Sequence, residues 1–225
     1  MKVALVSYKK GLILPTLKKF GHKIVSKNPE LVIAFGGDGT LLYAEEKYPD
    51  KPKLFIYHSS TCEKCSIHNF EPIIAKLGKL KTENLFKVEA RVKGKRISAL
   101  NDINIHYSPP RALRFDVKIN GKTVAKNVIG DGVVISTPFG SKAYFYSITG
   151  RTFKKGIGIV FNNPTQKIRP IVAPESAKIE VKILRENGVV AHDTSKKLIG
   201  IKKGDRIIIQ KCRKCTKVAM FKKRG

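Results

Sequence analysis

Apolar positions follow two rhythms along this chain. In the first part they come in short solid runs, Val3 to Val6 and Leu31 to Phe35, and Lys53 to Tyr57 reads as another strand. Each run is bounded by glycine or polar residues, as parallel strands buried on both faces are. Leu12 to Phe20 predicts a helix with Pro15 in its first turn, where a missing N–H costs little. Further helices are predicted over Leu41 to Glu46 and over Glu71 to Leu77, the latter with Pro72 near its start. Near residue 84 the rhythm changes. Phe86, Val88, Ala90 and Val92 alternate with polar residues, the period of a half-buried strand. Phe115 to Ile119 and Lys122 to Val124 flank Asn120-Gly121, a strong hairpin signal. Ile103 to Tyr107, Ala177 to Leu184, Gly188 to Ala191 and Asp205 to Gln210 read as further strands. The pattern predicts an α/β N-terminal lobe over residues 1–83 and a β-rich C-terminal lobe over residues 84–225. Whether the last residues pack back on the first lobe is left open.

Composition changes this picture little, except in charge. A chain of 225 residues with 42% apolar content can bury a real core. It holds no apolar run long enough to cross a membrane as a helix, so no membrane partner is expected. The apolar start is interrupted by Lys9 and Lys10 and lacks a small-residue cleavage site, so it reads as a buried strand of a cytoplasmic protein. Forty-five Lys and Arg face seventeen Asp and Glu, a net charge of +28. Such a field attracts polyanions. The cations are spread along the whole chain without an aromatic-rich cluster, so a solvated basic surface is favoured over a nucleic-acid interface.

The candidate chemistry lies in three segments. Gly36-Gly37-Asp38-Gly39-Thr40 follows a predicted buried strand and opens a helix. Glycines allow close backbone approach, and a helix N-terminus offers unpaired N–H groups to a phosphate. An acid at a phosphate site repels its ligand, which makes sense if Asp38 takes a proton from an attacking hydroxyl. The plainer reading makes Asp38 a helix N-cap. Asn101-Asp102 opens another strand, and an Asn can read an adenine edge through paired hydrogen bonds. Gly130 to Tyr144 combines an acid, a strand, the hydroxyl-rich turn Ser136-Thr137-Pro138-Phe139-Gly140-Ser141 and a tyrosine on a helix. Such a set can bind ribose hydroxyls, a phosphate and a flat base.

Together these segments resemble the NAD kinase family. Its hallmarks are a GGDG loop, an Asn followed by Asp or Glu, and a stretch of the form DG…STPxGSTAYxxS. Here they stand in the family's order as Gly36 to Gly39, Asn101-Asp102, and Asp131-Gly132 through Ser136 to Ser147. Arg111 to Val117 resembles the family's linking hairpin, and Arg169 to Val172 a short C-terminal family segment. His192-Asp193 stands at the usual hairpin Asp-Gly. The resemblance spans roughly residues 31 to 210. It implies an α/β lobe joined to a β-rich lobe, in a homodimer or tetramer. It implies Asp38 as general base for the 2′-hydroxyl of the adenosine ribose, and the backbone of Gly37 to Thr40, Gly39 included, along the phosphates. Asn101, Asp102, Arg111 and Asp131 would contact NAD; Ala143, Tyr144 and Ser147 would lie near the adenine. ATP with Mg²⁺ is the implied donor, with inorganic polyphosphate accepted by some members.

Three departures qualify the resemblance. Lys142 replaces the usual Thr, either as a phosphate contact or as a surface residue. Phe139 replaces a small polar residue. The glycine-rich loop GINxGxLGFL is absent, and Tyr57 to His68 stands in its place. That segment holds Cys62-x-x-Cys65, and a second pair, Cys212-x-x-Cys215, completes the chain's four cysteines. Two such pairs suit a structural zinc site tying the substituted loop to the C-terminal hairpin. Disulfides, a redox pair and free thiols stay open as alternatives, and His58 and His68 lie near enough in sequence to join. Lipid kinases share GGDGT but carry a Gly-Thr-x-Asn-Asp element absent here. The alternative function is a basic nucleotide- or RNA-binding protein of the same fold without kinase activity.

Overall fold

The computed structural model describes residues 1–59, 64, 66–109 and 111–220. The elements begin with β1 (Lys2–Val6), α1 (Lys10–Lys19), β2 (Lys23–Ile24), β3 (Leu31–Gly36), α2 (Asp38–Lys47), β4 (Lys53–Tyr57), α3 (Glu71–Ile74) and β5 (Lys81–Leu85). There follow β6 (Val88–Val92), β7 (Lys95–Ala99), β8 (Asp102–Tyr107), β9 (Leu113–Ile119), β10 (Lys122–Gly130) and β11 (Gly132–Ser136). After α4 (Tyr144–Thr149) come β12 (Ile157–Asn162), β13 (Ile171–Ala173), β14 (Ile179–Arg185), β15 (Gly188–His192), β16 (Ile199–Ile201), β17 (Arg206–Lys211) and β18 (Thr216–Met220). The chain divides into one unit of Met1–Leu85 with the segment from Cys215, and a second of Phe86–Lys214.

The first unit is an α/β layer. Its sheet runs β2-β1-β3-β4-β18-β5, parallel except for β5. The solid apolar run of β3 is buried from Leu31 to Phe35. Ile13 and Leu17 of α1 close over Val3, Ile33 and Phe35 in one core. This helix starts at Lys10, so Pro15 is its sixth residue and not in the first turn as expected. The bond it forfeits lies on the exposed side of the helix, beside exposed Gly11, where water can serve the carbonyl. The third helix also ends early, at Ile74, and gives way to one 3₁₀ turn over Leu77–Lys79 at Gly78. Within the buried layer, Lys53 of β4 forms an ion pair with Glu45 of α2 and donates to the Pro49 carbonyl at 3.3 Å. Both side chains are nearly inaccessible, so the pair fixes α2 against the sheet.

The second unit is two antiparallel six-stranded sheets, β10-β9-β14-β17-β6-β7 and β13-β12-β11-β8-β15-β16. The inward alternate residues of both form a single core, with Phe115, Val117, Ile179 and Val181 from one sheet and Ile103, Ile105, Val133 and Ile159 from the other. The hairpin at Asn120-Gly121 forms as predicted. Both residues take left-handed φ, 50° and 83°, as a two-residue type I′ turn requires. The strand after it is longer than expected, because register shifts between Thr123 and Val128 let β10 continue to Gly130. Phe145 anchors α4 on Val134 of β11 and Val160 of β12.

Candidate active site

In the first unit, β3 ends at the glycine pair and α2 begins one residue later. A Cβ on Gly36 would lie 2.3 Å from Thr40 Oγ1, so only glycine lets Thr40 tuck under the loop. Thr40 is buried, and its N–H donates to the Gly37 carbonyl at 2.9 Å. Gly37, not Asp38, is the residue that caps the helix, and no side chain makes a cap hydrogen bond. Asp38 and Gly39 are exposed in the first turn, and Asp38 has no hydrogen-bond or ion-pair partner among the described residues. The N-cap reading of Asp38 therefore fails. A cavity of about 160 Å³ opens at this loop, lined by Tyr8, Lys9, Phe35, Gly36, Gly37, Thr40, His58 and Ser59.

In the second unit, Asn101 and Asp102 are both buried at the start of β8. Their backbone is held by one carboxylate. Asp193 accepts from the N–H groups of Leu100 at 2.8 Å, Asn101 at 2.7 Å and Asp102 at 3.3 Å. Its own N–H donates to the Asp102 carbonyl at 3.1 Å. The hydroxyl-rich turn locks onto the same segment. The Thr137 hydroxyl donates to the Leu100 carbonyl at 2.5 Å, and its N–H donates to the Asn101 carbonyl at 2.9 Å. Gly140 N–H donates to Thr137 Oγ1, and a Cβ on Gly140 would lie 2.1 Å from the Asn101 carbonyl oxygen. With its backbone so occupied, Asn101 leaves its side-chain Oδ1 buried without a partner. Burial, and then the charge of Asp193, push the Asp102 carboxyl up to about 7.

The other predicted residues of this unit fall into two sets. Tyr144 and Asp131 are bridged by consecutive asparagines: Asn162 donates to the Tyr144 hydroxyl at 2.9 Å, and Asn163 to Asp131 Oδ2 at 2.6 Å. Lys142 and Ala143 are exposed at the bend into α4, and the Ser147 hydroxyl donates to the Tyr144 carbonyl. Arg111 is exposed before β9 and hydrogen-bonds none of these groups. Sequence reasoning passed over Asn162 and Asn163. It noted Asp193 only as a hairpin residue. The Asn-Asn-Pro at the end of β12 was the available signal.

Cys62 and Cys65 lie outside the described residues. Among the described residues, Cys212 and Cys215 are half-buried thiols without a disulfide, and no cluster of three metal-ligating side chains forms. Among those residues no helix is long and apolar enough to cross a membrane.

Residues 100–221 match the family profile of the ATP-NAD kinase C-terminal domain. The chain is 29% identical over 218 residues to the NAD kinase of Koribacter versatilis, covering 89% of this chain and 76% of that one. It is 32% identical over 173 residues to the NAD kinase of Sulfurisphaera tokodaii, covering 74% and 68%. Its fold matches the crystal structure of an Archaeoglobus fulgidus NAD kinase in complex with ATP, with a TM-score of 0.81, 21% identity and coverage of 99% and 94%. It also matches yeast NADH kinase complexed with NADH, with a TM-score of 0.84, 16% identity and coverage of 99% and 84%. The chain belongs to the NAD kinase family and is an enzyme of that kind.

Proposed function

We propose that this enzyme moves the terminal phosphoryl group of ATP to the 2′-hydroxyl of the adenosine ribose of NAD, with Asp38 as the general base. The carboxylate takes the hydroxyl proton, the ribose oxygen bonds to phosphorus, and the bond to ADP breaks. The observation that carries this reading is the state of Asp38: an exposed carboxylate at a glycine loop, unspent on capping or ion pairing. A side chain with only a structural task would be hydrogen-bonded there.

The second unit would hold NAD. The orphaned Asn101 Oδ1 suits an adenine amino group, and the carboxylates of Asp102 and Asp131 suit ribose hydroxyls. Tyr144, Ala143 and Ser147 offer a surface for the base, and Lys142 and Arg111 supply exposed positive charge. Gly37 and Gly39 would present backbone N–H groups to donor phosphates, while Thr40, whose own N–H is taken by the Gly37 carbonyl, would line the loop beneath them. A divalent cation such as Mg²⁺ neutralises phosphate charge in such transfers. Such an ion is usually held by one or two carboxylates and the donor phosphates, and Asp38 is the carboxylate of the loop. Polyphosphate could replace ATP, since the loop binds phosphates rather than a base. The resemblance also favours a cytoplasmic homo-oligomer. The zinc reading of Cys62, Cys65, Cys212 and Cys215 is tested by metal analysis of the native protein; absence of stoichiometric zinc removes it.

The decisive experiment measures NADP formation from NAD, ATP and Mg²⁺ by the wild type and by Asp38→Asn. Activity that collapses in the variant supports both the reaction and the base. Equal activity in the two proteins sinks Asp38 as base.

A further inference from the structure

The family's glycine-rich loop is missing, and the segment that replaces it brings a histidine to the glycine-loop cavity. The cavity of about 160 Å³ holds the equivalent of roughly five waters. That is below the range of roughly 300 Å³ upward that whole drug-sized ligands occupy. Its volume suits phosphate groups, and it opens to solvent on one side. Its wall carries two nitrogen-bearing side chains, Lys9 from the loop after β1 and His58 after β4, beside the backbone of Gly36 and Gly37.

His58 is held for this task. Its N–H donates to the Gly36 carbonyl at 2.9 Å, so its backbone is tied to the glycine loop itself. Its ring stacks on Phe35 at 4.8 Å with planes 15° apart, and His68 meets it edge-on at 6.1 Å. Nδ1 is shut off from solvent without a partner among the described residues. An N–H stranded there would cost more than a bare lone pair, so the favoured tautomer carries its proton on Nε2. Nε2–H is then a donor available to the cavity. Burial, followed by the nearby Lys9 and His68, holds the imidazole below its ordinary range, so it serves as a neutral donor near pH 7. The Lys9 ammonium makes no ion pair with any described carboxylate.

We propose that His58 and Lys9 form a clamp for the phosphate groups of the donor. The inference rests on the kinase reading above and names two substrate-binding residues for it. Both contacts are to phosphate oxygens, so the clamp serves a nucleoside triphosphate and an inorganic phosphate chain alike.

Calorimetric titration of the full chain with Mg²⁺-ATP and, separately, with Mg²⁺-tripolyphosphate tests it. The proteins are wild type, His58→Ala, His58→Gln and Lys9→Ala. Losing one hydrogen bond or contact to a charged group is expected to weaken both ligands about tenfold in the Ala variants. Gln, which keeps an N–H near Nε2, is expected to recover most of the loss, and the KM for NAD to stay within about twofold. Unchanged ATP affinity in both Ala variants overturns the clamp. So does weaker ATP with unchanged tripolyphosphate, which would mean that the cavity reads the nucleoside. Lys9 is exposed, so Lys9→Ala still tests the clamp if His58→Ala does not fold. The wild type's failure to make NADP would sink the kinase reading while leaving these affinities to decide the clamp.

Discussion

The glycine loop of the first unit and the Asn101-Asp102 segment of the second are built on opposite plans. At the loop two backbone bonds hold the chain, Thr40 N–H to the Gly37 carbonyl and His58 N–H to the Gly36 carbonyl, and the Asp38 side chain stands in solvent with no partner among the described residues. At the segment, one carboxylate takes three backbone N–H groups, and the Thr137 turn adds two more bonds. A group that must accept a proton gains from an unspent carboxylate, whereas groups that must hold a ligand in one pose gain from an immobile backbone. The difference suggests a division of labour between chemistry and positioning.

The largest expected effect tests the first half of that division. Asp38→Asn should lower kcat by about 10²–10⁴-fold in steady-state assays, with the melting temperature unchanged, since nothing in the fold leans on it. A variant that melts early would erase the contrast. Next comes Asp193→Ala, which orphans three N–H groups. It should destabilise the protein by roughly 3 kcal/mol in urea titration and raise the KM for NAD more than tenfold. Asp193→Asn, which keeps one acceptor oxygen, should fall between.

A smaller effect follows from the Asp102 carboxyl, raised to about 7 by burial and by Asp193. Between an ordinary carboxylate value near 4 and 7, the folded protein holds a proton that the unfolded chain has lost, so stability declines as pH rises through that window and levels above it. The ionised form is the stronger acceptor and offers both oxygens to ribose hydroxyls, whereas the protonated form gives up one oxygen as a donor. The KM for NAD should therefore rise as pH falls from 8 to 6, and Asp102→Asn should flatten the profile. A wild-type profile without an inflection near 7 would deny Asp102 this role. The smallest effect is a control outside both regions. Gly121→Ala strains a left-handed turn residue at φ 83° and should cost about 1 kcal/mol of stability without changing either KM.

Local signals were legible in the sequence. The run from β3 through the glycines into α2 needed only apolar periodicity and loop chemistry, and Asn120-Gly121 announced its turn within two residues. Strands without a hydrophobic rhythm were not legible. Lys81, Thr82 and Glu83 of β5 are exposed, and its place comes from pairing with β18, far along the chain. Buried polar partners were equally hidden. Lys53 reads as a polar strand start until Glu45 arrives from a helix to pair with it. Asp193 lies 91 residues beyond Asp102, so the cradle it forms exists only in three dimensions. The glycine loop could be read because it is contiguous, while the residues that hold the Asn101-Asp102 segment in place are dispersed.

The position of β18 has a consequence for how the protein is made. It lies between β4 and β5 in the first unit's sheet, pairing parallel to one and antiparallel to the other. Every residue of the second unit is translated before this strand leaves the ribosome. The second unit can then mature first, with all its strands in hand, whereas β4 waits with an unpaired edge. The loop that carries Asp38 thus belongs to the portion completed last, so a nascent chain gives that carboxylate its full setting only after every strand of the second unit has been made.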